Sequence, residues 1–561
     1  MKLFCILVLI SMSSWAQSEY PQDYFRHPLD ITTVLSGTFA ELRPSHFHAG
    51  LDIKTQRKTG LKVYAAAEGY VSRIKVSHFG YGKALYITHP NGYTTVYAHL
   101  KKFSEPIERY VKSIQYDKES YEMQVFPKPE ELLISKNDII GYSGNTGSSG
   151  APHLHFEIRD NLERPINPML FGITVKDSKP PLVKGLFAYP KNDTTTINGK
   201  NERVKLRLIP KGSGAFSAEK INAHGQVGFG IITNDQQNLA PNHNGVYQIE
   251  TLYNGNKSLK VDFRRFSFSE TNHIKRYIDY DYYKSKKKRI QKLFIEPNNP
   301  LNLFTYAFDN GYVRVEDSTA SVYKIIVKDF NNNASVINVP IVGKKQPITE
   351  KKNETINKFL ISENSTTTLE AGNATISFYP NTVYDDTFID FRHSADTLFI
   401  HEDKVPLRKD FKITYDISNY DKDHRNYLFI AKLVGYYKYP VYQNTKRTEH
   451  TLSTQTDDFG MYTVKMDTVA PEIKPLNFKN KQWLSKYRYL KLKISDELSG
   501  ISNYRATVNG KWILMEYDYK TDTLNHDFND DMVTDTKNEL KVIVTDNVGN
   551  SATFEAVFYR K

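Results

Sequence analysis

Short runs of alternating polar and apolar residues recur along almost the whole chain, separated by clusters of glycine, asparagine, aspartate and proline. Residues 70–76, 94–100 and 490–494 are examples. Such runs are typical of β-strands bounded by turns, whereas apolar residues at the helical period are scarce. Residues 106–115 or 129–135 are the places where a proline in the first turn favours a short helix. The sequence therefore predicts an all-β fold.

Size and composition limit the class of protein. The 561 residues predict three or four domains at about 150 residues each. Aromatic residues make up 13%, more than a predominantly disordered chain carries. Beyond the N-terminus no stretch approaches the roughly 18 consecutive apolar residues of a membrane helix, so we expect no transmembrane segment. The net charge of +12 favours polyanionic surroundings without choosing between nucleic acid, anionic lipid and cell-wall polymer.

The N-terminus has the parts of a secretory signal peptide. Lys2 is a short basic start, residues 3–12 form an apolar core, and Ser14 and Ala16 are small residues at the cleavage positions. We therefore predict a signal peptide over residues 1–16 and an exported protein, located in the periplasm or cell envelope or secreted. The only cysteine, Cys5, would leave with it. Any metal site must then use His, Asp and Glu.

Interruptions in the strand-like sequence, and a pattern that occurs twice (an internal echo), predict the domain boundaries after the first third of the chain. Residues 177–181 and 467–471 each run from an aspartate to a proline, and residues 344–358 contain almost no core-forming residues. Residues 326–334 and 543–551 share a pattern of strand, Asp/Asn/Gly turn and a further alternating run, as in the last hairpin of an antiparallel β-sandwich. This pattern resembles bacterial immunoglobulin-like (Ig-like) modules. The resemblance implies an enlarged Ig-like domain over 176–345, a further β-domain over 346–466 and an Ig-like sandwich over 467–561.

Candidate metal ligands lie in the first third of the chain. His48 and Asp52 stand four residues apart around a glycine, and His153 and His155 alternate with apolar residues. In a strand, both of these last imidazoles point to one face. Two histidines and one aspartate make a zinc site that leaves a fourth position for water, as in catalytic rather than structural zinc sites.

Several separated blocks resemble the lysostaphin-type (LytM-like) zinc endopeptidases, which cut the peptide part of peptidoglycan. The blocks, in order along the chain, are residues 43–53, 63–71, 82–100, 141–147 and 152–159. The resemblance implies an N-terminal antiparallel-sheet metallopeptidase domain over 17–175 with one Zn²⁺. By position in the motifs, it implies that His48, Asp52 and His155 are the zinc ligands and that His99 and His153 are the non-ligand catalytic histidines. His46 has no counterpart in the motif, and we expect it at the rim.

Two further features bear on substrate. Residues 144–150 form a glycine-rich loop that lets an extended peptide approach the backbone closely, with Asn145 and Thr146 as candidate contacts. Residues 101–137 form an insertion, because members of the family have a short connection there. The insertion is a lid that shapes specificity, a plug that blocks the site or an inert surface excursion. Loops this long are often functional.

The rest of the chain contains no second catalytic pattern. Its most basic stretch, residues 284–289 with tyrosines nearby, has the composition of a nucleic-acid surface. Export favours anionic wall polymers instead, and a solvated, lysine-rich β-edge is simpler still. We therefore expect no nucleic-acid partner. The expected partners are peptidoglycan peptides and, through the β-domains, other envelope proteins.

Two functions remain. The first is an active zinc endopeptidase that hydrolyses peptidoglycan peptide bonds, favoured because all five active-site positions are filled. The second is a non-hydrolytic envelope scaffold or regulator whose peptidase-like domain only binds peptidoglycan or a protein partner.

Overall fold

The computed structural model describes residues 19–348, 359–395 and 397–561. The predicted signal peptide, with Cys5, lies outside the described residues. The described strands fall into four units, which confirms the predicted all-β class. We call them the N-terminal unit (19–175), the second unit (176–348), the third unit (359–466) and the C-terminal unit (467–561). None of the described helices is long and apolar enough to cross a membrane.

The N-terminal unit is an antiparallel sheet. Its strands are β1 (Leu35–Gly37), β2 (Leu51–Lys54), β3 (Lys62–Tyr64), β4 (Gly69–Val76), β5 (Lys83–Thr88), β6 (Thr94–Phe103), β7 (Met123–Val125), β8 (Leu133–Ile134), β9 (Ile139–Ser143), β10 (His153–Arg159) and β11 (Pro165–Ile166). Strands β1, β2, β10, β6, β5, β4 and β7 follow one another across the sheet. Strand β10 therefore lies at the centre, between β2 and β6, and its side chains are buried from Leu154 onward.

The insertion is part of this unit's core. It contains helix α1 (Glu105–Asp117), as the prediction for residues 106–115 required, and Ile107 and Val111 are buried one turn apart on its inner face. Strands β7 and β8 then add to β4. The alternative helix over residues 129–135 is wrong: β8 lies there, because pairing with β4 overrides the local preference of the proline turn. The insertion is therefore not an excursion over the surface.

The second unit shares one hydrophobic core with the first. Its strands are β12 (Leu182–Pro190), β13 (Thr196–Ile197), β14 (Val204–Leu206), β15 (Leu208–Gly212), β16 (Ala215–Ala218), β17 (Ile221–Asn234), β18 (Gln248–Tyr253), β19 (Asn256–Asp262), β20 (Gln291–Lys292), β21 (Phe304–Ala307), β22 (Val313–Val315), β23 (Ala320–Lys328) and β24 (Ala334–Gly343), with helices α2 (Ile274–Tyr277) and α3 (Tyr280–Lys286). The β23–β24 hairpin is the one that the echo predicts. The basic residues from Lys284 onward begin on α3, so the prediction of a β-edge is wrong there. Asp279, whose side chain accepts a hydrogen bond from the Tyr282 backbone, caps this helix.

The remaining units are built from smaller sheets. The third unit contains β25 (Phe359–Ile361), β26 (Thr367–Ala371), β27 (Ala374–Phe378), β28 (Thr387–Ile389), β29 (Phe391–Ser394), β30 (Thr397–Ile400), β31 (Phe411–Asp416), β32 (Leu428–Val434), β33 (Tyr439–Tyr442), β34 (Lys446–Arg447), β35 (Thr451–Thr456) and β36 (Gly460–Met466). The C-terminal unit contains β37 (Glu472–Pro475), β38 (Gln482–Trp483), β39 (Tyr489–Ser495), β40 (Ile501–Val508), β41 (Lys511–Trp512), β42 (Glu516–Asp518), β43 (Thr523–Asp527), β44 (Lys537–Asp546) and β45 (Ser551–Tyr559). In the C-terminal unit two sheets share one core, and the β44–β45 hairpin closes it.

Candidate metal centre

Strand register brings the three predicted ligands together. Strand β10 pairs antiparallel with β2, and in this register His155 stands directly opposite Asp52. His48 lies three residues before the start of β2, and its side chain points toward the same place. All three residues are more than nine-tenths buried. Segments more than a hundred residues apart in sequence thus meet because two central strands pair in one register.

The ligand atoms face one another at short range. His48 Nε2 lies 2.9 Å from Asp52 Oδ1 and 3.1 Å from His155 Nδ1, and His155 Nδ1 lies 2.9 Å from Asp52 Oδ1. The outer nitrogens of both rings are engaged as donors: His48 Nδ1 donates to the Thr38 carbonyl at 2.7 Å, and His155 Nε2 donates to Glu157 Oε1 at 2.8 Å. The inner nitrogens therefore present lone pairs. Three acceptors that face one another repel unless a proton or a cation lies between them.

The spacing of these atoms suits zinc. Zinc ligands at about 2.0–2.1 Å in a tetrahedron stand roughly 3.3 Å apart, close to the 2.9–3.1 Å found here. The donor set of two imidazole nitrogens and one carboxylate is that of a zinc site with an open position. The residues present fit the ion that the family resemblance implies.

A buried charge network stands behind the ligands. Arg43 donates to Asp52 Oδ2 at 2.9 Å, and Arg159 Nε donates to Glu157 Oε2 at 2.7 Å. Burial raises the pKa of Glu157, but Arg159 and then His155 outweigh it and lower this pKa to about 2. Burial lowers the pKa of His155, but hydrogen bonds to Asp52 and Glu157 outweigh it and raise this pKa to about 9. Without a metal, a proton therefore occupies His155.

The two predicted catalytic histidines lie beside the cluster. His153 Nε2 is 3.3 Å from Asp52 Oδ1, and His153 Nδ1 donates to the Ala151 carbonyl at 2.8 Å. His99 Nδ1 donates to the Thr146 carbonyl at 2.9 Å, and its ring centre is 4.7 Å from that of His153. Burial, followed by the neighbouring imidazoles, lowers the pKa of His99 to about 3. Both rings thus present Nε2 as an acceptor toward the site, and His99 is neutral at pH 7.

Backbone strain accompanies His99. Its φ of 60° lies in the left-handed region, which a side chain with a Cβ rarely adopts. Such conformations persist where the surrounding structure enforces them, often at functional sites. Here the glycine-rich loop enforces it, because the Thr146 hydroxyl donates to the Leu100 carbonyl while its own carbonyl accepts from His99.

The predicted substrate contacts Asn145 and Thr146 line the loop beside this pair. The Asn145 amide, oriented so that its nitrogen meets acceptors, donates to Ser149 Oγ at 2.7 Å, and the Asn145 carbonyl accepts from Lys520 Nζ at 2.6 Å. Both side chains are engaged within the protein, and so are both backbone carbonyls, because that of Asn145 accepts from Lys520 and that of Thr146 accepts from His99. A substrate role for the two residues stays a prediction.

The C-terminal unit contacts the loop and the insertion. Beside the Lys520 contact, Lys83 Nζ donates to Glu516 Oε1 at 2.6 Å. Trp512 packs edge-on against Tyr116 of α1, with ring centres 5.1 Å apart. A cavity of about 190 Å³, lined by both the loop and residues 516–520, lies between them. One wall of this cavity is thus built by the C-terminal unit.

The sequence interpretation missed the residues that orient the ligands. Thr38 lies outside the motif blocks, and its carbonyl is visible only in the fold. Three charged residues that orient the ligands lie inside the motif blocks: Arg43, Glu157 and Arg159. Their charge, close in sequence to a predicted ligand, was the signal that could have identified them.

Comparison with known proteins gives two family matches. Peptidase family M23 matches residues 46–116, and a Zu5-like domain matches residues 358–467. The chain is 34% identical over 190 residues to the DD-carboxypeptidase/endopeptidase Mpg of Neisseria meningitidis serogroup B, covering 33% of this chain and 36% of that protein. It is 30% identical over 185 residues to the peptidoglycan DD-endopeptidase ShyA of Vibrio cholerae, covering 32% and 37%. The chain thus spans about a third of the length of the curated relatives that it matches.

Solved structures also match part of this chain. A crystal structure of a zinc-containing peptidase from Vibrio cholerae covers 27% of this chain and 40% of its own, at 25% identity and a TM-score of 0.20. The catalytic domain of lysostaphin from Staphylococcus simulans covers 24% and 90%, at 23% identity and a TM-score of 0.18. The family match to residues 46–116 and the sequence relatives confirm the predicted resemblance: this chain contains a Peptidase family M23 domain, homologous to those of the DD-endopeptidases.

Proposed function

We propose that the N-terminal unit is a zinc metalloendopeptidase that hydrolyses peptide bonds of peptidoglycan. The observation that carries the proposal is the convergence of three buried acceptor atoms within 3.1 Å, with two further imidazoles beside them. The activities named for the relatives, DD-carboxypeptidase/endopeptidase and peptidoglycan DD-endopeptidase, support the substrate class.

His48, Asp52 and His155 would hold the ion. A bound Zn²⁺ supplies a Lewis acid for the scissile carbonyl and lowers the pKa of a water toward about 7. Arg43 and Glu157 hold the side chains of Asp52 and His155 in place through their outer atoms, so the inner atoms already face one another, and His155 releases its inner proton when the metal binds. The site is therefore preorganised.

His99 and His153 divide the proton transfers. Each has Nδ1 committed to a backbone carbonyl, so Nε2 is the atom that accepts a proton from the attacking water. As the water oxygen bonds to the carbonyl carbon, the accepted proton passes to the leaving amine when the C–N bond breaks. The second imidazole, when it carries a proton taken up from solvent on Nε2, donates a hydrogen bond to the oxyanion.

The location and the domain plan are part of the proposal. A peptidoglycan hydrolase acts in the envelope, which agrees with the signal peptide that residues 1–16 predict. We propose domains over 17–175, 176–345, 346–466 and 467–561, with Ig-like topology in the second and last. The match of a Zu5-like domain to residues 358–467 supports a separate third domain.

The test is metal content and digestion of purified peptidoglycan by the full chain. Bound zinc is measured by mass spectrometry, and released muropeptides are weighed. We expect one zinc per chain and new peptide ends; His48→Ala should lose both. His46→Ala is the matched control, because His46 lies two residues away, is exposed and is outside the cluster. A zinc-loaded protein that leaves cross-linked peptidoglycan intact would instead support the scaffold function.

A further inference from the structure

A second acidic cluster lies where the N-terminal unit joins the second unit. Asp177 lies in the joint, Asp235 directly follows β17, and Asp329 lies in the turn between β23 and β24. Oxygen atoms of the three carboxylates lie within 4.8 Å of one another. Asp235 and Asp329 are each 3% exposed, so their charges are almost entirely removed from water. Such a cluster is unfavourable unless something positive is shared among its members.

Buried oxygens of this cluster lack donors. Asp177 Oδ2, Asp235 Oδ1 and Gln237 Oε1 have no hydrogen-bond partner among the described residues. Gln237 is 3% exposed and lines the same cavity as the three carboxylates. The cavity measures about 20 Å³, which is room for a single ion or water and for nothing larger. The amide oxygen of Gln237 is an observation independent of the carboxylates, and it adds a further oxygen to the same cavity.

The electrostatics of the cluster agree with this geometry. Burial, and then the negative charges of Asp177 and Asp329, raise the pKa of Asp235 to about 8. Burial above all raises the pKa of Asp329 to about 6. Full ionisation of the three carboxylates is therefore disfavoured unless a cation is bound.

The C-terminal unit contains an equivalent cluster whose carboxylate oxygens have hydrogen-bond donors. Asp467 lies five residues before β37, Asp496 directly follows β39, the strand that pairs with β37, and Asp546 lies in the β44–β45 hairpin. There, Asp467 Oδ2 accepts from the Ser499 backbone at 3.0 Å, and Asp496 Oδ2 accepts from the Gly500 backbone at 2.6 Å. In the second unit the corresponding Asp177 Oδ2 has no donor, and Asp235 keeps an oxygen without one. The two clusters have equivalent positions, and among the described residues buried carboxylate oxygens without a partner are found in the cluster of the second unit and not in that of the C-terminal unit.

We propose that Asp177, Asp235 and Asp329, together with the amide oxygen of Gln237, bind one calcium ion. The donor set is all oxygen, which selects a hard cation over zinc or copper. Calcium takes carboxylate and amide oxygens in irregular geometry, whereas magnesium demands a near-ideal octahedron and keeps several waters. A cavity of about 20 Å³ has no room for those waters.

The ion would lie against the segment that orients a zinc ligand. Thr38 lines the same cavity, and its hydroxyl accepts a hydrogen bond from the Gly245 backbone at 3.0 Å. The Thr38 carbonyl is the acceptor for His48 Nδ1. Calcium binding therefore ties the second unit to the loop that carries His48, and the calcium site itself does not depend on the peptidase proposal.

The test is a calorimetric titration of the full chain with CaCl₂ after dialysis against calcium-free buffer, repeated with MgCl₂. We expect one calcium per chain, a rise in the thermal midpoint on binding, and much weaker binding of magnesium. Terbium luminescence supplies a second readout, because Tyr247 lines the cavity and can sensitise a bound lanthanide. Asp235→Asn, which keeps the size of the side chain and removes its charge, should weaken calcium binding at least tenfold. Gln237→Ala, which removes only the neutral ligand, should weaken it less.

Asp496→Asn is the matched control, because it makes the same change at the equivalent position of the other cluster. We expect it to bind calcium as the unaltered chain does. The proposal is overturned if the unaltered chain binds neither calcium nor terbium, if it binds magnesium as tightly as calcium, if a folded Asp235→Asn variant keeps full affinity, or if Asp496→Asn is the change that removes binding. Circular dichroism of each variant shows whether it is folded.

Discussion

Glu157→Gln is the most direct perturbation of the network behind the metal centre. The carboxylate of Glu157 is fully buried, accepts from His155 Nε2 at 2.8 Å and from Arg159 Nε at 2.7 Å, and also accepts from the Tyr81 hydroxyl. A glutamine of the same shape has one acceptor oxygen, so its amide nitrogen must face either the imidazole or the guanidinium, both of which are donors. Removing one partner of a buried ion pair costs about 3–5 kcal/mol, because the other charge stays buried without compensation.

Two measurements follow from this reasoning. Urea unfolding should show a loss of about 3–5 kcal/mol, and zinc affinity, measured by competition with a fluorescent chelator, should fall about 10–100-fold because the orientation of His155 is no longer fixed. Glu163→Gln is the matched control: Glu163 also pairs with Arg159, at 2.9 Å, but its side chain is 58% exposed. A surface pair of that kind contributes about 0–1 kcal/mol. If the two variants lose the same small amount and keep their zinc, the buried network does not orient the ligand.

Three further predictions concern the same unit. His99→Asn should keep its zinc and lose about 10²–10⁴-fold in kcat, since a general acid–base group contributes that much; loss of the metal instead would make His99 structural. In the metal-free protein, the raised pKa of His155 stabilises the fold fully below about pH 6.5 and ceases to do so as the pH rises through about 9, a loss of about 3 kcal/mol. The thermal midpoint of chelated protein should fall over that range, and that of zinc-loaded protein should not. Lys520→Ala, which removes the contact to the Asn145 carbonyl, should raise KM about threefold to tenfold with zinc content unchanged, whereas the exposed Lys537→Ala should not.

The sequence allowed the fold class and the ligand cluster to be predicted because both depend on local patterns. Alternation along residues 153–159 indicated a strand with two imidazoles on one face, and the fold has β10 there. The aspartate and histidine motifs meet because β10 and β2 are neighbours in the sheet. The pattern shared by residues 326–334 and 543–551 likewise predicted two hairpins, and the fold has β23–β24 and β44–β45 there.

The features that the sequence did not predict depend on long-range packing, about which local patterns carry no information. A helix was predicted at residues 129–135 from the proline in its first turn, but strand β8 forms there and pairs with β4. A β-edge was predicted for the basic run from Lys284 onward, but this run begins on a helix capped by Asp279. The acceptor of His48, the Thr38 carbonyl, is a backbone atom, and any residue type at that position supplies one. A backbone ligand-orienting group therefore leaves no trace in composition or spacing.

The contact between the C-terminal unit and the glycine-rich loop shows how the ends of the chain act on one site. Lys520 and Asn145 are separated by 375 residues, and their contact joins a loop whose Thr146 carbonyl orients His99. An exposed contact alone contributes little, but here it is combined with the ion pair between buried Lys83 and half-exposed Glu516 and with the packing of Trp512 on α1. The glycine-rich loop therefore contacts the N-terminal unit through His99 and the C-terminal unit through Lys520. The insertion joins the two units: helix α1 packs into the core of the N-terminal unit through Ile107 and Val111, and its Tyr116 packs against Trp512 of the C-terminal unit.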